Sequence, residues 1–331
     1  MLAADVGGTK TRFGLFRVEG GTLVPLRDER VPSAHDVTFR QVMARFLAGD
    51  GTIRPAAACF AVAGPVVGQR VAMTNHPWVL DAHELSEAAA GIPISIVNDL
   101  EGTAVAMPFL PPAKLVAINP AADPWPRGNV AVVAPGTGLG CAALYWDGTR
   151  HHAIASEGGH ADFAPRNERE IALWRYLHER HDHVSWERIL SGVGIVTLYE
   201  FLRDAERMAE SPTVKADLAA ATDESVAPAR VSHAALAEND PLALAALDLF
   251  ASVLGAKAGN LALEVLALGG VFIGGGIPPK ILPALTRGSL REAFLDKGRQ
   301  RELIARMPLH IALEDEAALL GAARIAALAV L

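Results

Sequence analysis

The chain has 331 residues, of which 51% are hydrophobic and 20% charged, and its formal net charge is −7. That length suggests about two domains, and that composition supports a large core and excludes global disorder. The acidic surplus argues against broad electrostatic binding to nucleic acid or to an anionic membrane, while leaving room for a local basic site for a phosphorylated ligand.

The N-terminus shows no basic stretch followed by an apolar one, because Asp5 interrupts it. The stretch that comes nearest to a membrane span, "LALEVLALGGVFIGGGI", is broken by Glu264 and its glycines, so no such span is expected. A cytoplasmic protein is the expectation. Cys59 and Cys141 stand far apart and form no CxxC pair. They read as small buried hydrophobes, not as a zinc site or a disulfide framework.

In chain order, "LAADV" and "TRFGLF" are strands, joined by "GGTK". Glycine suits such a turn because it reaches positive φ without a Cβ clash. Only four residues precede Asp5, so the first strand's pairing is expected to be truncated. "LVPLRDERVP" alternates with charge, as an edge strand does. "DVTFRQVMARFLAG" has helical spacing, with Asp36 as its cap and Gly49 as its stop. "AAACFAVAGPV" is a strand buried on both faces, "AHELSEAAAG" a short helix that Gly91 stops, and "ISIVND" a buried strand with a polar end. The order is β-β-β-α-β-α-β.

"MPFLPPAKLVAINPAADPWPRGN" is proline-rich and reads as a connector. "VAVVAPGTGLGCAALYW" then repeats the opening pattern of apolar strand, glycine-threonine turn and apolar strand. The repeat suggests two related halves facing each other across a cleft. Helices follow: "EREIALWRYLHERH", two within "WERILSGVGIVTLYEFLRDA" interrupted at Ser191-Gly192, and a long buried one in "DPLALAALDLFASVLGAKAGNLALEVLA". "GGVFIGGGI" is a strand flanked by glycines, and "EAALLGAARIAALAVL" is an apolar helix that must pack, with the N-terminal sheet as its candidate partner.

Several clusters could carry chemistry. "NDLEG" ends a buried strand, the place where α/β sheets bind ligands. There Asp99 could accept a proton from an attacking alcohol, although Asn98 and Asp99 also suit a turn or a helix cap. "SEGGHADFAP" sets Glu157 and His160 around two glycines. The glycines argue for a loop offering an acceptor and a donor, not for a metal half-site on a helix. A backbone turn without Cβ atoms at Gly7 and Gly8 lets phosphate approach N–H groups closely, with Thr9 adding a hydroxyl and Lys10 a charge. "APGTGLG", with Gly136, Thr137 and Gly138, lacks the lysine of a Walker A loop and fits a second phosphate-contacting hairpin. In "GGVFIGGGI", Gly275 and Gly276 could wall a flat base.

Asp-x-Gly-Gly-Thr, a later Gly-Thr-Gly and a C-terminal glycine cluster, in that order, resemble the sugar-kinase, actin and heat-shock ATPase superfamily. "LAADVGGTKTRFGL", "AVAGPV", "MTNHPWVLD", "VNDLEGTA", "APGTGLG", "EGGHADFAP", "HVSWERILSGVGIVTLYEFL" and "GGVFIGGGI" resemble bacterial ATP-dependent glucokinases of the proteobacterial type over nearly the whole chain. Related ROK kinases carry a cysteine-rich zinc motif after the Glu-x-Gly-His element. This chain has "ADFAPRNERE" there, outside that pattern.

The resemblance implies an α/β, two-domain ribonuclease-H-like (actin-like ATPase) fold with a central cleft. The small domain would be residues 1–109 plus 315–331 and the large domain 110–314. It also implies transfer of the γ-phosphoryl of ATP to the 6-hydroxyl of D-glucose. Asp99 matches the catalytic base, and Asn98, Glu157, His160 and Glu187 match sugar-binding residues. Asp5, Gly7, Gly8, Thr9, Lys10, Gly136, Thr137, Gly138, Gly275 and Gly276 match nucleotide-binding positions. Mg2+ would arrive with ATP, and Asp5 would meet it through water. The implied partners are glucose and ATP, without nucleic acid or membrane, and the implied assembly is a homodimer. Kinases of mannose, fructose or N-acetylhexosamines, and sugar-sensing regulators, are the rival readings.

Overall fold

A computed structural model describes residues 1–33, 37–49, 53–73, 76–120, 127–221, 225–314 and 316–330. The chain folds into two compact units, one of Met1–Leu110, His152–Ala155 and Glu314–Leu331, the other of Pro111–His151 and Ser156–Leu313.

In the first unit, β1 (Leu2–Val6), β2 (Lys10–Glu19), β3 (Thr22–Pro32), β4 (Ala58–Val62) and a strand at Ile94–Asn98 form one sheet. Between them, β5 (Val66–Val67), β6 (Arg70–Ala72) and β7 (Val79–Asp81) make a small sheet, so the fifth strand is β8, and the main order is β3-β2-β1-β4-β8. β1 pairs antiparallel with β2 and parallel with β4, and β4 pairs parallel with β8. The charged β3 is an edge strand, whereas β4 is buried at every position. β1 pairs over all five of its residues on both sides, and the Met1 amine adds a bond to the Phe16 carbonyl at 2.6 Å. The expected truncation is therefore absent, because partners on two sides supply the order that a short strand lacks alone.

The helix Phe39–Ala48 packs Phe39 and Phe46 against Phe13 with ring centroids 5.6 and 5.0 Å apart. Its cap is Thr38, in a reciprocal capping box with Gln41. Asp36, the expected cap, lies outside the described residues. The helix Ala317–Leu328 lays Leu319, Ala322, Ala323 and Ala326 against Ala3, Cys59, Ala61 and Val97 of the other sheet face. It also crosses the helix Asp99–Ala106 so closely that a Cβ on Gly321 would collide with the Gly102 carbonyl.

The second unit restates this plan. β9 (Leu115–Asn119), β10 (Val130–Pro135), β11 (Leu139–Trp146), β13 (Gly270–Ile273) and β14 (Leu309–Ala312) follow along the chain, the label β12 falling to His151–Ile154, most of which belongs to the first unit, and the sequence across the sheet is β11-β10-β13-β14-β9. β10 is antiparallel to β11 and parallel to β13, which is parallel to β14. The proline-rich stretch is thus more than a connector, since its "LVAIN" adds antiparallel to β14 as β9. The prolines around it conceal a short apolar run whose partner lies about two hundred residues away. Trp186–Arg188 forms a single 3-10 turn where the first of two helices was expected, and the helix Gly192–Asp204 starts from a Ser191 cap.

Among the described residues, one helix, Pro241–Val265, is long and apolar enough to cross a membrane, and 78% of its most apolar window is buried inside the protein. Its length and apolarity serve the core, which it shares with the helices Gly192–Asp204 and Val226–Leu236.

Candidate active site

In the first unit, β1, β4 and β8 run parallel, with Val6 opposite Val62 and Val62 opposite Asn98. Their carboxyl ends therefore deliver Asp5 and the Asn98–Asp99 pair to one edge of the sheet. Asn98 caps the helix Asp99–Ala106. Its Oδ1 accepts the Leu100 amide at 2.9 Å, and its Nδ2 donates to the Gly64 carbonyl at 3.0 Å. One N–H and one lone pair of that amide group are left for a ligand. Asp99 Oδ1 also accepts from Leu100 N–H, at 2.9 Å. Burial, and next the Asp99 charge, push the Asp5 carboxyl up to about 6, against the opposing effects of Lys10, Arg12 and Arg30.

The turn after Asp5 closes with the Gly7 amide donating to the Lys10 carbonyl at 3.1 Å, and leaves Thr9 and Lys10 exposed. Ser33 holds it from β3's end, its hydroxyl donating to the Gly7 carbonyl at 2.7 Å. None of Gly7, Gly8, Gly136 and Gly138 takes a positive φ. A left-handed backbone is thus not the reason for glycine in these turns; close approach accounts for Gly138 but not for Gly136, where a Cβ would meet nothing within 4 Å.

A Cβ on Gly138 would collide with Glu187 Oε2, the atom that accepts the Leu139 amide at 2.9 Å. The Glu187 amide in turn donates to the Gly159 carbonyl at 2.9 Å. The structure thus brings together the second glycine-threonine turn, the Glu157–His160 loop and Glu187. In that loop the His160 amide donates to the Glu157 carbonyl at 2.9 Å. His160 Nδ1 stands 3.8 Å from Glu187 Oε1, and Nε2 stands 4.0 Å from Glu157 Oε2. These gaps exceed hydrogen-bonding distance. The two carboxylates and the imidazole therefore keep capacity for the hydroxyls of a ligand. His160 and Glu187 also line a cavity of about 500 Å3 with Arg180, His181, His183 and Arg188.

A larger cavity of about 1020 Å3 opens on Gly136, Thr137 and Gly276. Gly275 stands at φ +86, and a Cβ on it would lie 2.5 Å from the Pro135 carbonyl, so glycine alone brings this loop against the end of β10. The cavity's remaining wall includes Pro228, Ser232, His233 and Leu236 of the helix Val226–Leu236, together with Lys280. Sequence reasoning missed all of these. A helix face carries no local mark of the cavity it borders, and only the "PP" after "GGGI" hinted at a shaped turn there.

A model of the glucokinase family matches residues 2–329. The chain belongs to the glucokinase family. A glucokinase from Nostoc sp. is 39% identical over 338 aligned positions, covering 99% of this chain and 98% of that protein. Among solved structures, the glucokinase of an Antarctic psychrotroph is 31% identical, with a TM-score of 0.88 over 98% of both chains. That of Balamuthia mandrillaris, in complex with glucose, is 25% identical, with a TM-score of 0.72 over 98% of this chain and 93% of that one.

The fold of this glucokinase-family chain is accordingly the two-domain, actin-like ATPase fold of the sugar kinases. Its two cysteines are free and buried, and burial pushes the Cys59 thiol up to about 12 and that of Cys141 up to about 11. Among the described residues no three His, Cys, Asp or Glu side chains group as a metal site.

Proposed function

We propose that Asp99 is the general base in the reaction of this family, the ATP-dependent phosphorylation of D-glucose at its 6-hydroxyl to give glucose 6-phosphate and ADP. The observation that carries this reading is the pairing of Asp99 with Asp5 at the carboxyl edge of three parallel strands, where their charges interact. The 6-oxygen attacks the γ-phosphorus, its bond to the ADP oxygen breaks, and the hydroxyl proton passes to the Asp99 carboxylate. Asn98 orients the sugar through the unused half of its amide group. Glu157, His160 and Glu187 hold further hydroxyls.

The turns at Gly7–Lys10 and Gly136–Gly138 bind phosphates, and Gly275 and Gly276 border the base. Mg2+ suits Asp5. A largely buried carboxyl raised to about 6 beside a second carboxylate calls for a cation, and a hard oxygen donor matches this ion. One such contact through water is enough, because phosphates and water fill most of the shell. When bound, the ion neutralises charge on the transferring phosphoryl group. A place in glycolysis, a cytoplasmic location and a homodimer belong to the same reading, on the strength of the family.

An assay of ADP release over a panel of sugars tests the proposal. Glucose should lead the panel, with glucose 6-phosphate as product. A preference for another hexose, or sugar binding without turnover, would overturn it.

A further inference from the structure

On the helix wall of the large cavity beside Thr137, two polar side chains have a hydrogen-bonding sense fixed by their neighbours. His233 Nδ1 lies 3.0 Å from Glu238 Oε1. A carboxylate only accepts, so Nδ1 carries the hydrogen, and in the neutral ring Nε2 keeps its lone pair. Glu238 is itself anchored: Arg230 Nη2 donates to its Oε2 at 3.0 Å, and Arg230 Nε donates to Asp217 at 2.6 Å. That guanidinium holds the Glu238 carboxyl below the usual carboxylate range. Ser232, one residue away, donates its hydroxyl hydrogen to the Pro228 carbonyl at 2.8 Å and faces a ligand only with lone pairs. The two polar side chains of this helix wall are therefore both acceptors, set among Pro228, Ala229 and Leu236, which suit a flat ring. Lys280, also on the lining, comes from the turn after Gly276. There the Ile277 amide donates to Pro135 at 3.3 Å, which ties that turn to the glycine-threonine turn and so to the phosphates.

We propose that His233 reads position 6 of the nucleotide's purine ring and selects an exocyclic amine over a carbonyl oxygen. The inference rests on the reading that this cavity takes ATP. Adenine presents a donor at that position, whereas hypoxanthine and guanine present an acceptor, which would face two further acceptors without a hydrogen between them. His233 is a specificity residue. It touches the base and takes no part in the transfer.

The test compares kcat/KM for ATP and ITP at pH 8.5 with saturating glucose, since the two nucleotides differ at position 6. The protein as it stands should prefer ATP. His233→Ala should lower the value for ATP about fivefold, as expected for one lost hydrogen bond at an exposed side chain, and leave ITP within about twofold. Glu238→Gln is the sharper variant. Arg230 keeps the amide oxygen, the amide NH2 donates to Nδ1, and Nε2 then carries the hydrogen, so ITP should gain on ATP. An unchanged ATP:ITP ratio in Glu238→Gln, or in a His233→Ala protein of unaltered circular dichroism, overturns the inference while glucose phosphorylation stands. Absence of turnover with either nucleotide in the unsubstituted protein overturns the kinase reading, and the inference with it.

Discussion

Glu187 Oε2 accepts the backbone amide of Leu139 at 2.9 Å, directly after a glycine whose missing side chain makes room for that carboxylate. One residue thus belongs to two sites. Its Oε2 shapes the glycine-threonine turn, and its Oε1 faces His160.

This dual position separates Glu187 from Glu157. Glu157→Ala should raise the KM for glucose about tenfold, the cost of one unpaired hydroxyl, with little change in the KM for ATP. Glu187→Ala should raise both, because the Leu139 amide loses its acceptor and the turn relaxes. Glu187→Gln, which keeps an acceptor, should fall between them. Equal effects of the two alanine variants on ATP would show that Glu187 does not hold the turn.

Asp99→Asn preserves shape and removes basicity. Turnover should fall at least about a hundredfold, the lower range for general-base catalysis, while glucose still binds by calorimetry. Near-normal kcat would take Asp99 out of that role.

Asp5 links function to pH-dependent stability. Its carboxyl is raised from 3.8 to about 6 in the folded protein, first by burial and then by Asp99. Below about pH 3 it is protonated both folded and unfolded, and the folded state carries no penalty. Between pH 3.8 and about 6 the unfolded chain ionises it while the fold keeps it protonated, and above 6 the penalty levels off at roughly 3 kcal/mol. Asp5→Asn should therefore raise the Tm of the ligand-free protein at pH 7.5, leave it unchanged near pH 3, and depress turnover. A Tm gain equal at both pH values would assign the effect to something other than ionisation.

The helix that begins at Asp99 is held by the contact between Gly102 and Gly321, where no side chain fits. Gly321→Val should separate the two helices and destabilise the protein by about 1–3 kcal/mol or more, as overpacking does. Because that shift reaches Asp99, kcat should drop further than in a surface variant of equal Tm such as one at the exposed Arg17. Unaltered Tm in Gly321→Val would mean that the helices adjust freely.

Removal of Mg2+ by EDTA should abolish turnover, and its return should restore it. A chelator selective for zinc should leave activity and circular dichroism intact. Stoichiometric zinc in the purified protein, with activity lost on its removal, would contradict the reading of Cys59 and Cys141 as buried hydrophobes.

Much of this molecule is written in local pattern. The two strand–turn–strand hairpins, the buried β4, the charged edge β3 and the apolar terminal helix all follow from side-chain period and glycine placement, because each element's burial repeats along its own residues. The candidate residues Asp99, Glu157 and His160 were legible for a related reason: polar groups stand out at the end of an apolar strand or between paired glycines. Thr38 as the helix cap was hidden by the acidic residue two positions earlier, which offers the same kind of oxygen.

What only the tertiary structure decided is which distant groups meet. No spacing in the sequence places Glu187 against Leu139, sets Asp5 and Asp99 to repel one another, gives "LVAIN" a partner in β14, or turns His233 toward Glu238 at the edge of a cavity. These arrangements depend on strand order and on the close approach of backbones at glycine. Such contacts are made across tens to hundreds of residues, where the period of a strand or helix carries no information.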